Sequence, residues 1–157
     1  MSRIDHVGAV LGELAAEAGL DGLALDESQR ASLEFDGVTV TFAYGAEPAE
    51  LLWLFIDLGE IPEDGEAAPH CLLRLGLATW AQSVMTLALD EAGTRALGYT
   101  VMAVSVLDLA TLKEVLARLL EGAKPIRERL ARRDFEVEIE PAFDGGAPPG
   151  ANGAMRV

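Results

Sequence analysis

The sequence predicts an α+β fold: a twisted antiparallel sheet of about five strands with helices packed on it. Three observations predict it. Apolar residues recur at steps of three or four near both ends of the chain, over residues 2–18 and 109–133, which marks two amphipathic helices. Between them, several stretches alternate apolar and polar with period two, which marks half-buried strands. Asp36-Gly37 separates two of those stretches, and both central residues of a type I′ hairpin turn need positive φ. The order is helix, three strands, helix, two strands, helix.

The first helix places Ile4, Val7, Leu11, Leu14 and Ala18 on one face, with Asp5, Glu13 and Glu17 off it. Ser2 can cap its start, with Asp5 three residues on as a short form of the capping box. Gly19 can close it in the left-handed conformation. The hairpin follows: residues 31–35 alternate, and Val38, Val40, Phe42 and Tyr44 share one face of the return strand. Residues 51–58, Leu-Leu-Trp-Leu-Phe-Ile-Asp-Leu, are apolar on both faces through Ile56. Such a strand is central or covered on both sides. After an acidic, breaker-rich loop, Pro69 fits the first turn of a short helix over residues 69–80. That helix is apolar on more than one side, and Arg74 is its only charged side chain. A small fold seldom covers that much surface alone, so the helix is expected at a subunit interface.

Residues 83–90 and 96–106 read as a second antiparallel pair. Asp108 is placed to cap the last helix, in which Leu109, Leu112, Leu116, Leu119, Ala123, Ile126 and Leu130 keep helical spacing. Gly122 and Pro125 are expected to kink or break it. Arg127, Arg129, Arg132 and Arg133 read as a solvated face. Residues 1–134 are expected to form one domain and residues 135–157 a flexible tail, because the latter become rich in Gly, Ala and Pro.

Acidic residues number 26 against 12 basic, for a formal net charge of −14. A nucleic-acid surface needs clustered Lys and Arg, so none is expected. The single cysteine, Cys71, excludes an intramolecular disulfide. The N-terminus lacks the charged and apolar regions of a signal peptide, and no apolar run approaches the ~20 residues a spanning helix needs. No membrane insertion is expected, and the cytoplasm is the default location.

No catalytic constellation stands out. His70 adjoins Cys71, but adjacent residues do not face one ligand on a helix, and no further Cys or His lies at metal spacing. Cys71 reads as a small buried hydrophobe. There is no phosphate loop and no dinucleotide fingerprint. The acidic groups Glu60/Glu63/Asp64 and Asp90/Glu91 lack the spacing of a calcium loop. No cofactor, no metal and no catalysis are expected.

Several runs of text share one pattern: Leu25-Asp26-Glu27, Leu33-Glu34-Phe35-Asp36-Gly37, Leu51-Leu52-Trp53-Leu54, Leu58-Gly59-Glu60-Ile61-Pro62, His70-Cys71-Leu72-Leu73, Leu87-Ala88-Leu89-Asp90-Glu91-Ala92-Gly93 and Val104-Ser105-Val106-Leu107-Asp108. Together they resemble the Tir-chaperone-like family of class I type III secretion chaperones, over about residues 2–134. Two departures are Pro125 within the last helix and the Gly76-Leu77-Ala78-Thr79-Trp80 end of the short one. The resemblance implies a homodimer that binds the N-terminal region of a secreted effector, keeps it extended and soluble, and uses no ATP. Its short middle helix would lie on the two-fold axis. Ile4, Val7, Leu11, Phe42 and Leu54 are the expected client contacts, and Leu72, Leu73, Leu75, Leu77 and Trp80 the expected dimer contacts. Two rival readings are a same-fold adaptor that binds a folded partner and a small-molecule site lined by Trp53, Trp80 and His70.

Overall fold

The computed structural model describes residues 2–62, 67–79 and 85–136; for residues 77–79 it describes the backbone alone. The elements run α1 (Arg3–Glu17), β1 (Arg30–Phe35), β2 (Val38–Gly45), β3 (Leu51–Glu60), α2 (Ala67–Thr79), β4 (Thr86–Leu89), β5 (Arg95–Ala103) and α3 (Leu109–Arg132). This is the predicted order. The five strands form one sheet in the order β1-β2-β3-β5-β4, antiparallel at every pairing. β3 is therefore central, as its two apolar faces require. α2 carries the chain over β5 to the far edge, so β4 runs parallel to β3 with β5 between them.

Local chemistry sets the element ends. The Ser2 hydroxyl accepts the Asp5 N–H, and the Asp5 carboxylate accepts the Ser2 N–H at 2.9 Å, a reciprocal capping box. Past α1, Leu20 N–H donates to Ala15 O across Gly19 at φ 70°, which uses a carbonyl the helix end leaves unpaired. Asp36 (φ 49°) and Gly37 (φ 75°) both adopt the left-handed conformation at the hairpin turn. The Asp108 carboxylate accepts the Thr111 N–H at 2.7 Å and starts α3.

Several boundaries differ from expectation. β5 stops at Ala103, and Val104–Val106 form a 3₁₀ turn in place of the last strand residues. There Val104 N–H donates to Glu50 O beside the start of β3. β4 is described only over Thr86–Leu89, and the earlier residues of its expected span lie outside the described residues. α2 begins two residues before Pro69, which still sits in the first turn where its missing N–H costs nothing. α3 runs unbroken through Pro125. Both Pro125 and Glu121, whose carbonyl loses its partner, are exposed, so water can satisfy that oxygen.

The core fills the space between one face of the sheet and the helices. Val40, Phe42, Leu52, Leu54 and Ile56 point inward and pack with Val7 and Leu11 of α1 and Leu112, Leu116 and Leu119 of α3. α2 adds Leu72 to the same cluster and lies against β4. Among the described residues this core holds no buried polar or charged side chain. Gly98 is needed at its centre. A Cβ there would come within 2.6 Å of Met85 Sδ and 2.9 Å of Ile56 Cγ2. In β3 a bulge between Asp57 and Gly59 reverses the alternation of faces. Leu58 stays inside, Glu60 falls opposite Arg95 on the outer side, and Ile61 returns to the inner side.

Candidate functional site

Alternation places the odd residues of β3 as far as Asp57, and those of β5, on the face away from the core. On that outer face Phe55 stands opposite Tyr99, and Trp53 opposite Val101. The three rings form a cluster, with centroids 6.3 Å apart for Trp53–Phe55, 5.8 Å for Trp53–Tyr99 and 5.9 Å for Phe55–Tyr99. These distances are in the range where ring pairs attract beyond simple burial. Trp53, Phe55, Leu97 and Tyr99 stand outside the core cluster and are half-buried, and Val101 is 44% exposed. Ala43 on β2, Leu51 on β3 and Ala103 on β5 widen the patch.

The patch has a polar border. Arg95 binds Asp57 at 2.5 Å and Glu60 at 3.4 Å on the outer side of the bulge. The Asp57 carboxylate raises the Arg95 guanidinium further above its already high range. On β1 and β2, Ser32 Oγ and Thr41 Oγ1 are 2.9 Å apart. The sheet also has two edge strands, β1 and β4, since each pairs with one neighbour among the described residues. An edge strand presents backbone N–H and C=O groups that an extended segment can take up.

The sequence-predicted contacts fall differently on this frame. Val7, Leu11, Phe42 and Leu54 are fully buried, so they are core of this chain and have no surface to give a client. The periodicity that nominated them is what a core requires, and inward and outward apolar residues carry the same signal. Ile4 keeps partial exposure. Of the expected dimer contacts, Leu72 is also core, at 5% exposed. Leu73 is the opposite case, at 72% the most exposed of the large hydrophobic side chains described. Leu75 is half-buried, Leu77 is described by its backbone alone, and Trp80 lies outside the described residues.

Cys71 is buried, and burial pushes its thiol up, away from the reactive thiolate. His70 is exposed on α2, and Trp53 lies on the outer sheet face. Among the described residues, no group of three or more His, Cys, Asp and Glu side chains is placed to hold a metal, and no helix is long and apolar enough to cross a membrane. The outer residues Phe55, Tyr99 and Val101 escaped the sequence reading as a site. Their signal was the unbroken apolar run of β3, whose odd positions need an explanation of their own.

An α+β protein whose described residues leave an apolar sheet face half-exposed, two strand edges unpaired and no polar side chain buried has the form of a protein-binding module. The comparisons with known proteins make that specific. The Tir chaperone protein (CesT) family matches residues 9–127, and the chain belongs to that family. Among solved structures, the chain is 30% identical to a chain of the ExsC-ExsE complex, covering 83% of this chain and 97% of that one with a TM-score of 0.74. It shares its fold with a chain of the HopA1-SchA chaperone-effector complex, at 22% identity, 78% and 94% coverage and a TM-score of 0.65. It also shares it with a chain from the complex of the Yersinia pestis type III secretion chaperone SycH with a fragment of YscM2, at 23% identity, 76% and 98% coverage and a TM-score of 0.57. No curated protein matches the chain.

Proposed function

We propose that the protein is a non-catalytic cytoplasmic secretion chaperone. It binds the N-terminal region of a type III effector in an extended state and keeps it soluble. Membership of the Tir chaperone family supports this reading, and the observation that carries it is the apolar outer face of the sheet, which the described residues leave half-exposed. Apolar client side chains would settle on Trp53, Phe55, Tyr99 and Val101, and a client strand would add its backbone to β1. Ile4 at the mouth of α1 remains a candidate contact. Such binding needs no bond-making group. The net charge of −14 would keep a chaperone with an apolar client soluble.

The same reading makes the protein a homodimer through α2, with Leu73 at the contact. An outward Leu on a helix that already gives Leu72 and Cys71 to its own fold supports this placement. Two experiments test the proposal. Coexpression with a candidate type III effector should yield a soluble complex, and its bound client segment should be digested by protease as an extended chain. A partner captured fully folded would instead favour the adaptor reading. Leu73→Asp should halve the mass in light scattering; an unchanged dimer would remove α2 from the interface.

A further inference from the structure

The two edges of the sheet are unlike. β1 sets Arg30, Ser32 and Glu34 on its outer side, and charged side chains keep an edge strand from pairing at random. β4, Thr-Leu-Ala-Leu, carries no charge. Asp90 N–H donates to the Arg95 carbonyl at 3.0 Å, which makes these two a hydrogen-bonded pair. Such pairs alternate along an antiparallel ladder, so Thr86 and Ala88 bond to β5 while Leu87 and Leu89 turn their N–H and C=O groups to the open side. The side chains of Leu87 and Leu89 lie on the inner face. Leu87 packs on the core, and Leu89, opposite the buried Ala96, is 39% exposed.

The chain leaves α3 at the Leu89 end of this edge. α3 starts beside the start of β3, where Val104 N–H donates to Glu50 O. Its last turn and Arg133 lie with residues 58–62 at the end of β3. Leu89 is at that same end, because Ala96 stands between it and Gly59. α3, β3 and β4 therefore run in one direction. Arg133 then takes a left-handed conformation (φ 54°), and Asp134 N–H donates back to Arg129 O at 3.0 Å, which reverses the chain. Arg129 holds the reversed segment by donating to the Glu136 carbonyl at 2.9 Å, and Phe135 packs against the core. Arg129 and Asp134 are near enough to the Cys71 thiol to act on it electrostatically, so the exit is on the side of α2, the helix that lies against β4.

The next residues have the text of a strand. Val137-Glu138-Ile139-Glu140 alternates β-branched and acidic residues, and Pro141, which has no N–H for a ladder, ends the run. Its four residues match the four of β4.

We infer that residues 137–140 pair antiparallel with β4 as a sixth strand, Val137 opposite Leu89 and Ile139 opposite Leu87, and close that edge. The pairing uses the N–H and C=O groups that Leu87 and Leu89 present, and sets Val137 and Ile139 beside two leucines on the inner face. β4 places no carboxylate opposite Glu138 or Glu140. With β4 closed, β1 is the edge left to an extended client; this consequence alone rests on the chaperone reading above.

Amide hydrogen exchange of the full chain, followed by NMR, tests the pairing. Leu87 and Leu89 should be protected, and Ile139→Pro, which removes a ladder N–H, should speed their exchange at least about tenfold while Leu54 and Ile56 stay protected. Ala88→Cys with Glu138→Cys should form a disulfide within one chain on mild oxidation, since directly opposed strand residues bring Cβ atoms to about 4.5–5.5 Å. Fast exchange at Leu87 and Leu89 in the unaltered chain, or protection that survives Ile139→Pro, overturns the inference. So does a disulfide-linked dimer, because the added strand would then belong to a second copy. Loss of effector in coexpression would overturn the chaperone reading and leave the exchange of Leu87 and Leu89 as it was.

Discussion

The two faces of the one sheet carry similar side chains and meet different fates. Phe42, Leu54 and Ile56 point inward and are fully buried under α1 and α3. Trp53, Phe55 and Tyr99 point outward and cover one another only in part. Burial of apolar area stabilises a fold by about 25 cal/mol per Å², so the inward set is accounted for by stability alone. The outward set keeps apolar area exposed among the described residues, which the proposed client binding would use.

Substitutions can break that contrast. Phe42→Ala should lower stability in urea by about 3–5 kcal/mol, since it opens a void under both helices. A loss near that of an exposed residue would mean the inner face is not the core. Gly98→Ala should cost about 1–3 kcal/mol through the close approach to Met85 and Ile56. Adding Met85→Ala should recover part of that loss, which makes the pair a test of packing at the centre of the inner face. On the outer side, Phe55→Ala should cost only about 1 kcal/mol, because one ring contact of a half-buried cluster is lost. The same change should release a coexpressed client, whereas retention of the client would sink the assignment of that face.

The smallest effect concerns the cap that holds α3 over the core. The Thr111 N–H bond keeps the Asp108 carboxyl below the usual carboxylate range. A lower value in the folded state means that this contribution is fully present above the ordinary pKa of about 4 and is lost as pH falls through the folded value. Asp108→Asn keeps a capping oxygen, so it should change stability little at neutral pH. Urea midpoints measured from about pH 5 down to pH 2 should fall less steeply in the variant. Identical acid limbs would show that Asp108 has no part in the pH dependence.

The elements were legible in the sequence because each depends on near neighbours. Ser2 and Asp5, Asp36 and Gly37, and Asp108 and Thr111 lie within a few residues of each other, and all three motifs form as read. The site was less legible because the face a strand buries depends on partners far along the chain. Val7 and Leu11 of α1 carry the same apolar signal whether α3 or a client covers them. The contrast between Leu72 and Leu73 on α2 was equally invisible, since a helix apolar on several sides does not say which side its own sheet takes. Pro125 does not break α3, and the carbonyl it orphans lies at an exposed position where water can reach it.

The first helix and the last pack on each other. His6 Nε2 lies 2.8 Å from the Leu107 carbonyl just before α3, Glu17 pairs with Lys113, and Val7 and Leu11 share the core with α3 residues. During synthesis at about 5–20 residues per second, the apolar side of α1 leaves the ribosome about 5–20 s before its cover is made. For that interval the only cover this chain can give the apolar side of α1 is its own half-built sheet.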